Sequence, residues 1–123
     1  MANATTLYSA TALAANATSS PVRVTGRFAV RLVTANPSTA NHTMFMQIGD
    51  GTNWCDLPYI YTLPSTGNAA TGTYSATAAR NMGSASAAQD TLFVYDAGPC
   101  QVRFNVWRQA GTLDITLYLL ASD

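Results

Sequence analysis

The sequence predicts an all-β protein, specifically a small antiparallel β-sandwich or jelly-roll-like single domain with an extended N-terminal arm. The 123 residues include six Arg and six Asp but no Lys and no Glu, so two strong helix formers are missing. Abundant Thr, Val and aromatic residues favour strands. Apolar and polar residues alternate strictly from Val22 to Val33, and turn signals recur at sandwich-like spacing.

The first twenty residues differ from the rest and are interpreted as the arm. They are rich in Ala, Thr, Asn and Ser, with only Leu7, Tyr8 and Leu13 as apolar anchors. Three anchors are too few to fold alone, so we expect residues 1–20 to reach a neighbouring subunit by adding an extended segment to a sheet edge. Residues 21–123 then form the sandwich domain.

The first strand of the sandwich is predicted over residues 22–33. Its even-numbered positions are mainly apolar and should face the core, with Gly26 marking a bend. The spacing of four places Arg23, Arg27 and Arg31 together on the outward face. This row is interpreted either as a solvated sheet face or as an interface that binds carboxylates of a partner; nucleic acid is the least favoured reading.

A hairpin is predicted around Asp50-Gly51, between the alternating stretch 44–48 and a strand that begins at Trp54. Pro58 indicates that the return strand is an edge or is broken there. Cys55 and Leu57 are expected to point inward. His42, the only histidine, precedes the hairpin in a polar stretch, so we expect it to be solvated.

Residues 63–90 form a long excursion of small and polar residues. A structureless loop of this length is uncommon in a compact domain. The segment is therefore functional in itself, a weak strand around residues 73–77, or ordered by a neighbouring molecule, and we favour the third alternative.

The last third of the chain is again predicted as strands. Residues 91–95 precede a turn at 96–99, residues 102–106 alternate, and a second turn at 109–112 precedes the alternating stretch 113–119. Trp107 and Tyr118 fall opposite the apolar face of their strands. An exposed aromatic ring can stack on a sugar and a buried one can anchor a subunit contact, and we favour packing in the core or in an interface.

Residues suited to catalysis or metal binding are few, which predicts a protein without enzymatic activity, catalytic residues, cofactor or metal. The sequence has no Gly-x-Ser-x-Gly elbow. Cys55 and Cys100 lie too far apart in sequence for a paired zinc motif, and we expect free thiols. Asp50, Asn53 and Asp56 do not fit an EF-hand spacing, so a turn role is favoured over a cation site.

The charge balance argues against two classes of partner. A formal net charge of zero does not suit binding to nucleic acid or to an anionic membrane, both of which favour a basic excess. The N-terminus lacks the pattern of a secretory signal, and no apolar run is long enough for a membrane-spanning helix. We expect a soluble protein or a component of an assembly.

Three segments carry a family resemblance: GRFAV (26–30), MFMQIGDGTNWCDL (44–57) and AGPCQVRF (97–104). They resemble small β-sandwich virion proteins of tailed bacteriophages, in which an Asp-Gly-x-x-Trp-x-Asp-Leu hairpin precedes a Gly turn and a Val-Arg strand. The matching positions are Asp50-Gly51, Trp54, Asp56-Leu57 and Val102-Arg103. The resemblance covers about two thirds of the chain.

This resemblance implies a capsid decoration (cement) protein on the virion surface, assembled in the host cytoplasm. Its expected partners are the major capsid protein and its own copies, as a trimer. The alternatives are a phage tail or fibre component, or a carbohydrate-binding module that stacks a surface glycan on aromatic platforms, with Trp54, Tyr59, Tyr61 and Trp107 as the candidates. The predicted interface residues are Leu7, Tyr8, Leu13, Arg23, Arg27, Arg31 and Trp107.

Overall fold

The computed structural model describes residues 5–57, 61–64, 82, 86–97 and 99–122, with 61–64 and 121–122 described as backbone only. The all-β prediction is confirmed, since these residues form strands and turns in one antiparallel sheet. No helix in this described part is long and apolar enough to span a membrane. The strands are β1 Thr5–Leu13, β2 Ala17–Thr18, β3 Val22–Val24, β4 Arg27–Gly49, β5 Trp54–Asp56, β6 Tyr61–Pro64, β7 Gln89–Asp96 and β8 Cys100–Ser122.

Two long strands organise the sheet. β4 and β8, of 23 residues each, are antiparallel neighbours along almost their whole length. The strand order is β1-β8-β4-β7-β6, with β2 and β3 also paired to β8 and β5 paired to β4. We call β1, β6 and β7 with residues 27–35 and 113–122 the first half of the sheet. β2, β3 and β5 with residues 42–49 and 100–108 form the second half.

The junction between the halves is a bend in both long strands. The segments at 36–39 and 109–112 resemble turns in the sequence, but pairing continues through them with shifts of register. Asn36, Thr39 and Gly111 have positive φ, and a Cβ atom on Gly111 would clash with the carbonyl oxygens of Ser38 and Thr39. The expected turn at 109–112 is therefore a bend inside one strand rather than the end of a strand.

The inner faces of the two halves close over one core. Tyr8 of the first half contacts Phe104 of the second half, with ring centroids 5.6 Å apart. Because the inner faces meet, the two outer faces point in opposite directions. The fully or nearly fully buried apolar core residues include Val24, Phe28, Val30, Leu32, Met44, Met46, Phe93, Tyr95, Val102, Phe104, Val106, Leu113, Ile115 and Leu117.

His42 belongs to this interior, which corrects the expectation that it is solvated. Inward-facing positions of β4 keep their even numbering across the bend, so His42 follows Ala40 and precedes Met44 on the buried side. Its Nε2–H donates to the carbonyl oxygen of Leu13, at 2.9 Å. The histidine thus joins β1 to the second half of the sheet.

The N-terminal segment is extended, as expected, but it pairs with its own chain. β1 lies against β8, and Leu7, Tyr8 and Leu13 pack on the core. Burial raises the pKa of the Tyr8 hydroxyl. These three residues therefore pack on their own chain, because β8 offers them an apolar surface that the sequence pattern alone does not reveal, and their contact with a partner stays a prediction.

The predicted strand at 22–33 is interrupted. Thr25 and Gly26 separate β3, which pairs with β8, from β4. Its inward positions are as expected, but Arg23 lies in the second half of the sheet whereas Arg27 and Arg31 lie in the first. The predicted single row of arginines is therefore wrong, because the chain crosses between the halves at the break.

The excursion at 63–90 is described only in part. β6 pairs with β7, and the Met82 N–H donates to the Met44 carbonyl oxygen at 2.7 Å. The suggested weak strand at 73–77 and Pro58 lie outside the described residues. Ordering of the excursion by a neighbouring molecule stays a prediction.

Candidate functional site

The first outer face is the outward surface of the first half of the sheet. Directly opposed residues of antiparallel strands share a face, so the register of β4 with β7 and β8 fixes its membership. Its apolar members are Ala29, Val33, Leu92, Val94 and Tyr118, and its charged members are Arg27, Arg31, Asp90 and Asp96.

Both arginines of the first outer face form ion pairs within the chain. Arg31 forms a bidentate ion pair with Asp90, in which Nε donates to Oδ1 at 2.7 Å and Nη2 donates to Oδ2 at 2.5 Å. The hydrogen bond and charge of Asp90 raise the pKa of Arg31. Arg27 and Asp96 are 3.7 Å apart in a more exposed pair. The carboxylates that these arginines bind therefore come from their own chain.

The remainder of the first outer face is apolar for a surface that points away from the core. Val94 is only 8% exposed although it lies outside the core cluster, and Val33 and Leu92 are half-buried. The outward face of an antiparallel sheet is commonly polar. An apolar sheet face crossed by neutralised ion pairs suits contact with another protein surface.

The second outer face is the outward surface of the second half of the sheet. The pairs Gln47–Arg103, Phe45–Asn105 and Thr43–Trp107 lie across β4 and β8, while β2, β3 and β5 extend the face at both sides. Its members are Thr18, Arg23, Thr43, Phe45, Gln47, Trp54, Asp56, Gln101, Arg103, Asn105 and Trp107.

A hydrogen-bond network crosses the second outer face with Gln47 at its centre. Gln47 Oε1 accepts from Arg103 Nε and from Asn105 Nδ2, both at 2.9 Å. Gln47 Nε2 donates to Asp56 Oδ1 at 3.2 Å, and Thr18 Oγ1 donates to Asn105 Oδ1 at 2.9 Å. Four strands are thus linked by side chains, which hold the polar groups in fixed positions.

The two tryptophans of this face have different surroundings. The guanidinium of Arg103 lies over the Trp54 ring at 4.2 Å from the centroid, so Trp54 positions an arginine and one face of its indole is covered. Trp107 is 44% exposed and meets Phe45 edge to face, with centroids 5.1 Å apart. Trp107 thus lies on the outer surface and is held from one side by a buried ring.

The other predicted aromatic platforms cannot be placed on this face. Tyr59 lies outside the described residues, and Tyr61 is described by its backbone alone. Trp107 is the one large exposed apolar side chain among residues 5–57, 82, 86–97 and 99–120.

The arginines of the second outer face differ from those of the first in their pairing. Within the described chain, ion pairs shorter than 4 Å occur at Arg27 and Arg31 but not at Arg23 or Arg103. Arg103 is held through its Nε and its ring contact, which leaves the two Nη groups outside that network. Among the described residues, the second outer face therefore carries Arg23 and Arg103 without an ion pair within 4 Å, together with one carboxylate, Asp56.

The Asp50-Gly51 turn forms as predicted and uses Asp50 structurally. Asp50 Oδ1 accepts from the N–H groups of Thr52 and Asn53, each at 2.8 Å, and these bonds lower the pKa of Asp50. Gly51 has a φ of 100°, which favours glycine. Among the described residues, no group of three His, Cys, Asp or Glu side chains could hold a metal ion.

The two cysteines are free thiols. Cys55 lies opposite Ile48 on the inward side of the sheet, as expected, but it is exposed because β5 lies at the side of the sheet, and only Leu57 of the two is buried in the core. Burial raises the pKa of Cys100, and nearby Arg23 partly opposes that shift.

Family models, curated proteins and solved structures give no match to this chain. The two outer faces therefore carry the features from which function is inferred. The sequence pointed to Trp107, Arg23, Arg27 and Arg31 as surface residues, but Arg103, Gln47 and Asn105 were not predicted as members of a site. Their roles depend on strand register, and no local motif marks them.

Proposed function

We propose that this chain is a non-enzymatic decoration (cement) protein of a bacteriophage capsid, and that it binds the assembled shell through the first outer face. The single observation behind the docking surface is the row of half-buried apolar side chains Val33, Leu92 and Tyr118 on the outward side of the sheet. The resemblance at residues 44–57 supports the class of protein.

Stabilisation of the shell follows from mass action. A ligand that binds the assembled lattice in preference to free subunits stabilises that lattice in proportion to its occupancy. Many copies, and trimers of this chain, reinforce one another through multivalency. The proposed partners are the major capsid protein and two further copies of this chain, at the virion surface after assembly in the host cytoplasm.

The first test is the copy number of the chain per purified particle, measured by quantitative mass spectrometry against the major shell protein. A number comparable to the shell protein supports decoration. A few copies per particle would instead indicate a tail or fibre component, and complete absence from particles would overturn the virion assignment.

The docking surface is tested by binding of purified protein to shells that lack it. Leu92→Lys places a charge in the apolar surface while its stem retains some of the packing, and we expect at least a ten-fold loss of affinity. Trp107→Gln, on the opposite face, is the matched control and should bind as wild type. Equal loss in both variants would contradict docking through the first outer face.

A further inference from the structure

We propose that the second outer face is a binding site for acidic oligosaccharides, with Arg103 binding a ring carboxylate and Trp107 stacking against a sugar ring. This ligand class is separate from the shell contact, and the two outer faces point in opposite directions. A chain docked by its first outer face would present this site away from the shell.

Arg103 is arranged as a carboxylate receptor. Gln47 fixes its Nε, and the Trp54 ring lies against the guanidinium plane. An arginine held in this way loses little conformational freedom on binding, so its Nη groups can take both oxygens of a carboxylate. The comparable arginine on the opposite face, Arg31, already binds Asp90 and is not available in the same manner.

The local charge favours an anion. Arg23 lies opposite Gln101, which places it diagonal to Arg103 at roughly 7–8 Å between Cα atoms. Asp56, bonded to Gln47, is the carboxylate that the register of β5 places on this face. Among the described residues of this face, two arginines stand beside one aspartate, which leaves an excess of positive charge near Arg103.

Trp107 supplies an aromatic surface on the same strand. It is four residues from Arg103, about 13 Å along β8, with Asn105 between them. Phe45 packs against the indole and limits its motion. A ligand of several rings can reach both groups, with one apolar sugar face on the indole and a carboxylate at the guanidinium.

Other anionic or apolar partners fit this face less well. The second outer face is mostly polar and Trp107 is its one large exposed apolar side chain among the described residues, whereas a stable protein interface usually has several apolar side chains together. Nucleic acid favours a long basic track, and the described residues of this face include two arginines without an ion pair beside one aspartate. A short chain of acidic sugars needs one charge contact and one flat surface, which are both present.

The test is calorimetric titration of the purified chain with oligogalacturonate, alginate oligosaccharide and a sialylated oligosaccharide. Each acidic ligand is paired with its neutral counterpart, the methyl ester. We expect binding of at least one acidic ligand and at least ten-fold weaker binding of its ester, because the ester lacks the charge-assisted contact. Failure of all three acidic ligands to bind would overturn the proposal.

Variants then locate the site. Arg103→Gln and Arg103→Lys should each weaken binding about ten-fold or more, since lysine provides neither the planar pair of donors nor the ring contact. Trp107→Gln should weaken binding of the acidic and neutral ligands alike. Arg27→Gln, on the opposite face, is the control, and thermal unfolding verifies that all variants fold. Unchanged affinity in Arg103→Gln would also overturn the proposal.

Titration with polyglutamate and with an oligothymidylate identifies the competing partners. If either binds as tightly as the best saccharide and depends equally on Arg103, the site is a general anion site and the proposal fails. These measurements use the free chain without particles, so their outcome does not depend on the decoration role.

Discussion

The two outer faces of the sheet use the same residue types in opposite ways. On the first outer face, Arg31 and Asp90 neutralise each other over an apolar surface. On the second outer face, Arg103 is held by an amide and an indole without a carboxylate within ion-pair distance in the described chain. Although the net charge is zero, the described arginines with ion pairs lie on one face and those without them lie on the other. Composition alone therefore does not show which charged groups can bind a partner.

The opposite orientation of the faces depends on the bend, and Gly111→Ala should disturb it most. The side chain would adopt a positive φ and clash with the carbonyl oxygens of Ser38 and Thr39. We expect a loss of about 2 to 4 kcal/mol in the free energy of unfolding, measured by urea titration. Ala110→Gly, at an exposed neighbouring position, is the control. A wild-type stability for Gly111→Ala would show that the bend tolerates a side chain.

The rigidity of the second outer face is tested by Gln47→Leu. The change removes the acceptor for Arg103 Nε and for Asn105, whose side chain is 5% exposed. Loss of a partner to a buried amide should cost about 1 to 3 kcal/mol of unfolding free energy. The same substitution at Gln101, on this face but outside the network, should cost less, and equal losses at the two positions would argue against a special role for Gln47.

Asp90→Asn tests the difference in charge pairing between the two outer faces, because it removes the carboxylate that binds Arg31. Because the pair is substantially exposed, we expect a loss of only about 0.2 to 1 kcal/mol, decreasing with added salt. The control is Asp96→Asn, since the Arg27 pair is longer and more exposed and its loss should be smaller. A larger loss in Asp96→Asn would reverse this ranking.

The smallest expected effect concerns Asp114, beside the bend. Its carboxylate accepts from Asn36 Nδ2 at 2.8 Å and from the Ala12 N–H at 2.7 Å, and these bonds lower its pKa. A lowered pKa in the folded state gives stability that is complete above the unfolded pKa and is lost as pH falls through the folded pKa. The stability difference between wild type and Asp114→Asn should therefore shrink from about pH 7 to about pH 3. A constant difference across that range would contradict this account.

The alternation of apolar and polar residues correctly predicted which side chains point inward, because that direction depends only on a residue's position within its own strand. The inward positions of 28–32 and 102–106 and the Asp50-Gly51 turn are found as predicted. The segment at 109–112 was predicted as a turn between strands, because local turn signals do not distinguish the end of a strand from a bend. The difference depends on pairing with β8 or β4, which is remote in sequence.

The candidate sites were predictable to a lesser degree. The outward orientation of Trp107 was predicted, because it alternates with the inward-facing residues of β8. The arginines at 23, 27 and 31 were assigned to one surface because they share odd numbers in an alternating stretch. That pattern does not reveal the break at Thr25-Gly26, which places Arg23 in the other half of the sheet. The packing of Leu7, Tyr8 and Leu13 on their own chain was not predicted, because the strand they pair with is about a hundred residues away in sequence.

The passage of β4 and β8 through both halves of the sheet has a mechanical consequence. Tension applied between the two outer faces would be carried along covalent backbone rather than across a seam of weak contacts. The halves could separate only as far as the bend can straighten, and straightening it would open the shared core while the pairing of β4 with β8 stays intact. The core packing between the halves, rather than the ladder of the long strands, should therefore be the first interaction lost under a pulling force.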